Sequence, residues 1–432
     1  KRWGTFFSGS AAWAASDEAF YKNLGIDKVL NLLKIRSSYG EIGQDSNVGR
    51  FAYVSSYGMN TRGAYLGGKW YSSFYEGNLI SPDMTWYTTK DFNIGVDFAT
   101  LNSRLSGSVD YFAKVTTGYI ASPSNVGYTA PLGKNLPFVK TDGESIRRGA
   151  EFVLQWKDSF GDLKYGVSAN FTFYDDRWNI NPNESETSLK NPYKRSTQVG
   201  AYSGVYYKNL GFYKNYEDIM NSPKRNGSTN LMAGDLKYYD FNGDGKIDKD
   251  DVVPLNYSAV PFIQYGFALD WNYKAFRVSI LFEGVSKVQY FQGGRGFYPF
   301  LNESRGNLLE MVADPRNRWI PREYAEVNGI DPALAENPNA KFPRLTYGEN
   351  KNNNQESTFW LADGKYLRLK NVDISYRFTN NWLKSRVGVE SATLSLIGEN
   401  LHVWDKVKLF DPSQASGNGA EYPLQRMYRQ SI

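Results

Sequence analysis

The chain is 432 residues long, with 50 basic against 45 acidic side chains for a formal charge of +5, and 16% of its residues are aromatic. Cysteine is absent and histidine occurs once, at His402, which excludes disulfide frameworks, thiolate sites, most zinc sites and histidine-based triads or relays. No run of 18 apolar residues exists, which excludes a helical membrane span, and the scattered charges argue against nucleic-acid binding.

Tyrosine (32), phenylalanine (26), tryptophan (11) and glycine (40) at this density suit an all-β protein with aromatic girdles and polar loops. The chain opens on Lys1-Arg2-Trp3 without an apolar targeting region, and it reads as an internal or C-terminal piece of something longer. Its last residues, Tyr428 to Ile432, look like a strand cut short.

In chain order, Trp3 to Trp13 predicts a strand and Ser16 to Lys22 a short helical patch. A second strand ends at Gly40, with Leu33, Ile35 and Tyr39 alternating with Lys34, Arg36 and Ser38. Glu41 to Asn78, rich in Gly, Ser, Asn and Tyr, predicts loop with one strand. Thr85 to Val115 then predicts a long antiparallel hairpin. Phe92, Ile94, Val96 and Phe98 share one face of its first arm, and Asn93, Gly95 and Asp97 the other. After a turn near Ala99 to Ser103, Leu105, Val109 and Tyr111 oppose Ser106, Ser108 and Asp110. Such a hairpin cannot bury itself alone, so the pattern requires repetition.

Past a Pro- and Gly-rich stretch from Ala121 to Ser145, a second hairpin sets Phe152, Leu154 and Trp156 against Glu151, Val153 and Gln155. Its return arm alternates Leu163, Tyr165, Val167, Ala169, Phe171 and Phe173 with Lys164, Gly166, Ser168, Asn170 and Thr172. At ~3.4 Å per residue that arm spans roughly 37 Å. Tilted by about 40° it rises roughly 28 Å, close to the ~25 Å apolar band of an outer-membrane barrel. Soluble sandwich strands usually stop at about 5–6 residues, so length favours the membrane barrel.

Asp175 to Asn256 reads as a long polar excursion and Pro261 to Gln289 as a third hairpin. There Tyr265, Phe267, Leu269, Trp271 and Tyr273 face away from Gly266, Ala268, Asp270 and Asn272, and Phe276, Val278, Ile280 and Phe282 return. A second insertion, Gly293 to Phe359, includes a short helix near Arg305 to Val312 and the proline-rich Pro332 to Pro343. Leu367 to Phe378 and Ala392 to Trp404 supply further strands around a turn at Asn380-Asn381. The rhythm of long strand, short turn, long strand and long loop matches bacterial outer-membrane barrels, and about a dozen strands fit part of a large one.

The strongest local motif runs from Asp240 to Asp251. Asp240, Asn242 and Asp244 at positions one, three and five, glycine at six, the Lys246 carbonyl at seven, Asp248 at nine and Asp251 at twelve fit a calcium loop. Aspartate stands where an EF-hand has glutamate, and Gly234 to Tyr239 is not helical in pattern. The expectation is a structural Ca2+ stapling a long loop at 234–254, against an Asx- and glycine-rich turn that binds nothing.

Asp175-Asp176 carries no catalytic constellation, and Gly293-Gly294-Arg295-Gly296 lacks the context of a phosphate cradle. The Asn-x-Ser/Thr triplets at Asn170, Asn183, Asn226 and Asn302 fit chance in an Asn- and Ser-rich chain. The aromatics Trp178, Tyr206, Tyr207, Tyr298 and Trp319 suit either stacking on sugar rings or, the favoured reading, packing of the loops. His402 is an ordinary strand residue.

With these residues laid out, the chain resembles the SusC/RagA family of TonB-dependent outer-membrane transporters from Bacteroidetes over nearly its whole length. The matching stretches are Arg2 to Ser10, Leu33 to Gly40, Trp86 to Phe98, Gly234 to Asp248, Arg318-Trp-Ile-Pro321, Asn337 to Arg344, Tyr366 to Asn371 and Gly398-Glu-Asn-Leu401. The resemblance implies that 1–432 is the C-terminal part of a large transmembrane antiparallel β-barrel, roughly 22-stranded, with long extracellular loops. It implies no enzymatic activity. It implies import of an oligosaccharide or, in some relatives, a peptide, driven by TonB through an N-terminal plug outside this chain. A SusD-like surface lipoprotein would cap the barrel, membrane lipid would surround it, and a dimer of transporter and lipoprotein pairs is a further expectation. A secreted calcium-stabilised glycan-binding protein and a passive porin are the competing readings.

Overall fold

The computed structural model describes residues 3–45, 53–77, 79–81, 85–121, 137–192, 194–195, 204–225, 227–228, 230–255, 258–301, 308–379, 384–386, 388–407, 410–414, 421–422 and 424–431. The Asn380-Asn381 turn, the Asn226 and Asn302 triplets, most of Ala121 to Ser145, and Arg2, Arg305 and Ile432 lie outside the described residues. The chain divides into two compact units, Lys1–Trp156 with Asn170–Ala201, and Lys157–Ala169 with Tyr202–Ile432.

In the first unit long strands pair with antiparallel neighbours. They are β1 (Ser8–Ala14), β2 (Leu30–Gln44), β5 (Tyr87–Thr100) and β6 (Leu105–Thr117), with β7 (Glu144–Phe160) as far as Trp156 and β8 (Leu163–Ile180) from Asn170 onward, and β3 (Tyr57–Leu66) and β4 (Lys69–Glu76) form a separate hairpin between β2 and β5. The second unit repeats the scheme with β9 (Ile263–Tyr273), β10 (Phe276–Ser286), β11 (Tyr366–Phe378), β12 (Ala392–Asp405) and β13 (Met427–Ser431). The all-β expectation holds. Among the described residues no helix is long and apolar enough to cross a membrane, a statement that leaves strands free to do so.

Burial on these strands is inverted relative to a water-soluble protein. Phe92, Ile94, Val109 and Tyr111 stand exposed, while Gly95 and Asp110 on the opposite face are buried. In the second unit Trp271, Tyr273, Phe276, Ile374, Tyr376 and Phe378 are likewise exposed. Rows of apolar side chains this long are stable when the outer medium is hydrocarbon, where paired strands satisfy one another's backbone polar groups.

The connections alternate as the sequence predicted. Leu101, Asn102 and Ser103, with φ of 56, 57 and 62°, turn β5 into β6, and Lys274, at φ 54°, turns β9 into β10. Within each unit the long connections all leave from the opposite strand ends.

Five boundaries differ from the sequence reading. β2 continues past Gly40 because Glu41 to Gln44 pair with Lys90 to Tyr87 on β5. Residues 57–76 form two strands rather than one, since Gly67 and Gly68, at φ 57 and 79°, supply the left-handed turn a tight hairpin needs. β8 runs to Ile180 instead of ending near Phe173, because Asp176 is held in the ladder by Arg147 and needs no solvent. The first strand starts at Ser8, and the helix near Val312 is limited to Glu310–Ala313.

The second unit also carries a layer of loops with a conventional core. Short pairs, Val205–Tyr207 with Val252–Pro254 and Asn209–Phe212 with Leu236–Tyr238, frame it. Phe297, Tyr298, Val312, Phe342 and Trp360 make one buried cluster, Leu236, Tyr238 and Ile247 a second, and Ile320, Ala325 and Ala335 a third.

Candidate functional site

The residues from 234 to 254 sit on that layer, and their geometry starts from Asp235. Its side chain is 1% exposed and takes bonds from several directions. Arg344 Nη2 donates to Oδ2 at 2.9 Å, Asn350 and Asn353 donate their amides to Oδ1 at 2.9 and 3.0 Å, and the Met232 N–H reaches Oδ2 at 2.9 Å. Asn353 in turn accepts the Leu236 N–H at 2.9 Å, and Asn352 donates to the Leu236 carbonyl at 2.9 Å. A buried carboxylate is tolerable only with such partners, so this knot fastens residues 232–238 to residues 344–353. Gly234, at φ 88°, is required because a Cβ there would come within 2.2 Å of the Trp319 ring.

The predicted calcium loop follows directly. Asp240 accepts the Gly243 N–H at 2.7 Å and the Gly245 N–H at 2.8 Å, and both glycines have positive φ. Asn242 Oδ1 accepts from the Asp244 N–H at 3.0 Å, and Asp244 Oδ1 from the Lys246 N–H at 2.9 Å. Asp251, fully buried, accepts the Phe241 and Asp248 N–H groups at 2.8 and 2.9 Å, and Asp248 accepts the Asp250 N–H at 2.8 Å. The loop is therefore closed by its own carboxylates on backbone donors, with Asp248 and Asp251 forming a capping box. The all-oxygen donor set of Asp240, Asn242, Asp244 and the Lys246 carbonyl suits a hard cation in its chemistry. Asp251 is turned to the backbone, and among the described residues no group of three or more acidic or histidine side chains is gathered to hold a metal ion.

Beside this loop, Asp218 accepts a bond from Lys237 Nζ at 2.8 Å. Burial pushes the Tyr213 hydroxyl up to about 12, with the Asp218 and Asp235 charges adding to it. A groove of about 560 Å³ opens there, with Phe212, Lys214, Glu217 and Asn221 in its lining.

The polar face of the first unit's wall carries a second charged cluster. Arg36 on β2 reaches Asp97 on β5 at 3.2 Å and Asp110 on β6 at 2.6 Å. Gly95, the register partner of both Arg36 and Asp110, leaves the space, since a Cβ on it would lie 2.3 Å from Asp110 and 2.9 Å from Arg36. Arg147 holds Asp176 at 2.8 Å in the same manner. The pairing of Asp176 with Arg147 and of Asp175 with Arg177 leaves no acid and base converging there.

At the long-loop end of the second unit, Arg368 is 2% exposed and binds Asp411, the Ser413 hydroxyl and, at 3.6 Å, Glu283. For Asp411 the largest influence is burial, which raises its carboxyl. The bonds from Arg368 and Ser413 outweigh it and leave the carboxyl below its ordinary value.

The loop aromatics pack on neighbouring rings. Tyr206 stacks on Phe291 at 5.7 Å, Tyr207 lies 5.3 Å from Tyr238, and Tyr298 meets Trp360 edge-on at 5.1 Å. Trp178 packs on Tyr119, Trp319 is 4% exposed, and His402 rests against Trp404. The Asp235 knot and the Arg36 cluster were absent from the sequence reading. The only signals for them were Asp235 beside the calcium motif and the run Asn350 to Asn354, which look like ordinary loop composition.

Comparison with known proteins places this geometry. TonB-dependent receptor P26 of Formosa agariphila is 26% identical over 420 residues, covering 93% of this chain and 38% of its own length. TonB-dependent receptor SusC of Bacteroides thetaiotaomicron is 24% identical over 440 residues, covering 98% of this chain and 39% of its own. The RagAB peptide importer in its open-open state superposes with a TM-score of 0.71 at 19% identity, over 98% of this chain and 42% of that one. No family model matches. The chain thus spans about two fifths of the length of the curated relatives it matches. These relatives are receptors rather than enzymes.

Proposed function

Because this chain is a SusC/RagA-like barrel portion of the bacterial outer membrane, we propose that the whole protein is a TonB-dependent importer of an oligosaccharide, capped by a SusD-like lipoprotein. The observation that carries the reading is the inverted wall. Its exposed apolar face suits lipid, and its polar face, with Arg36, Asp97 and Asp110 in mutual contact, suits a lumen through which a polar cargo passes. The likeness to the RagAB peptide importer supports peptide as the second cargo class. Energy coupling belongs to residues outside this chain. A secreted glycan-binding protein would need a water-compatible surface, which the rows of exposed aromatic and aliphatic side chains do not provide.

The loop at 234–254 is the part of this reading that involves a cofactor. Calcium would be held by Asp240, Asn242, Asp244 and the Lys246 carbonyl, with Asp248 and Asp251 closing the loop behind them, and would supply structural rigidity. Chelation should then speed proteolysis at 240–251, and unchanged cleavage would reject the ion.

The test of function is a native pull-down of the full-length protein from detergent-solubilised outer membrane, with mass spectrometry of co-purifying protein and small molecules. A SusD-like lipoprotein with bound glycan supports the proposal, bound peptide shifts the cargo, and a lone barrel favours a passive porin.

A further inference from the structure

The connection from β1 to β2, residues 15–29, is longer than the turn from β5 to β6, and it shows oily side chains where a turn in water shows polar ones. It sits at the short-turn end of the wall. Thr100 donates to the Val29 carbonyl and Asn31 Oδ1 accepts the Ser103 N–H at 3.0 Å, which ties the connection to the turn between β5 and β6. Its short helix, Ala19–Asn23, is fixed on one side, where Tyr21 is 2% exposed and its hydroxyl donates to the Leu30 carbonyl at 2.8 Å. On the other side Phe20 and Leu24, one helical turn apart, are 49 and 70% exposed, and Val29 and Leu101 are 68 and 45% exposed at the same rim.

These side chains continue a surface that faces lipid. Trp13 on β1 pairs with Ile35 on β2, which pairs with Val96 on β5, so Trp13 stands in the outward apolar face that includes Phe92 and Ile94. The Phe20 ring lies 6.3 Å from Trp13 and carries that face onto the helix. Trp13 Nε1 donates to Glu18 at 3.0 Å, so the ring keeps its polar edge on the connection and its oily body outward. An amphipathic ring at the margin of an apolar wall suits a membrane–water interface. Charge does not select a different cover. Asp17, Glu18 and Asp27 nearly cancel Lys22 and Lys28, so the segment has no pull toward an anionic surface, and apolar area is what it offers.

We propose that residues 15–29 form an interfacial collar lying in the periplasmic leaflet of the outer membrane. Phe20, Leu24 and Val29 enter the acyl boundary, while Lys22 and Lys28 extend to the head groups. The inference rests on the lipid-facing wall and is independent of cargo and lipoprotein.

It is tested with the full-length protein in phosphatidylcholine vesicles containing a lipid whose acyl chain carries a diazirine. Light releases a carbene inside the bilayer, and mass spectrometry maps the residues it labels. The expected result is labelling at Phe20 and Leu24 on the order of tenfold above that at the exposed loop helix Tyr216–Met220, and comparable to that at Phe92 and Ile94. Background labelling at Phe20 and Leu24 beside a labelled wall overturns the collar, whether water or another protein segment covers the stripe. An unlabelled wall instead overturns the lipid-facing reading of β5. Adding phosphatidylglycerol should leave the pattern unchanged, and labelling that requires it overturns anchoring by apolar area. In Phe20→Ser/Leu24→Ser, with folding followed by heat-dependent gel migration, labelling at Val29 should fall severalfold while Phe92 keeps its own. Unchanged Val29 labelling in the folded variant overturns the role of the stripe, and should the double variant misfold, Leu24→Ser alone is read by the same criteria.

Discussion

The wall strands and the loop layer use the same residue types in opposite ways. On β5 and β6 the apolar side chains point out and Asp110 is enclosed, whereas among the loops Leu236, Ile247 and Ile320 are essentially inaccessible. The wall draws its order from a continuous backbone ladder and a hydrocarbon medium, so its side chains need not cluster. The loops have short pairings and must bury an oily core in water, which obliges them to satisfy Asp235, Asn352 and Asn353 inside it. A charge is thus cheap on the wall's inner face, costly on its outer face, and decisive inside the loops.

Removing the centre of the loop layer should have the largest effect. Asp235→Ala leaves Arg344 buried without its partner and should cost roughly 3–5 kcal/mol locally. Hydrogen exchange should then rise across 232–238 and 344–353 while β9 to β12 stay protected. Equal protection in variant and wild type would show that the knot does not hold the loops.

On the wall the prediction is directional. Val167, 38% exposed, should tolerate arginine poorly, at ~2–4 kcal/mol, while Ser168→Arg on the adjacent face should be mild. Equal folding yields in lipid vesicles would break the assignment of faces.

A smaller effect is expected at Gly95. Gly95→Ala should displace the Arg36 and Asp110 pair and cost about 1–3 kcal/mol through overpacking. A double-mutant comparison in an Arg36→Gln background sharpens this, since the cost should shrink once the guanidinium is gone.

The smallest effect concerns acid. The Asp411 carboxyl is depressed in the fold, so its contribution is fully present above its ordinary value near 3.8 and is lost as pH falls through the depressed value. Proteolysis near 410–414 should be flat from neutral pH down to about 4 and rise below it. A rise already between pH 7 and 5 would exclude Asp411 as the cause.

Much of the wall was legible because period-two alternation is local: Phe92 to Phe98 and Tyr265 to Tyr273 announce strand and faces without knowledge of neighbours. The ends were not, since Glu41 to Gln44 and Asp175 to Ile180 are polar stretches made into strand by Lys90 and Arg147 on adjoining strands. The Asp240 to Asp251 turn was visible for the same local reason, its spacing of Asp, Asn and Gly being a backbone prescription.

Sequence by itself determined the all-β class, the wall's apolar and polar faces and the Asp-rich turn, because each depends on residues close along the chain. Only the tertiary structure decided that Asp235 meets residues 344–353 and that Arg36 spans Asp97 and Asp110. Those contacts join positions far apart in sequence, and no local period records which distant partner a side chain will meet.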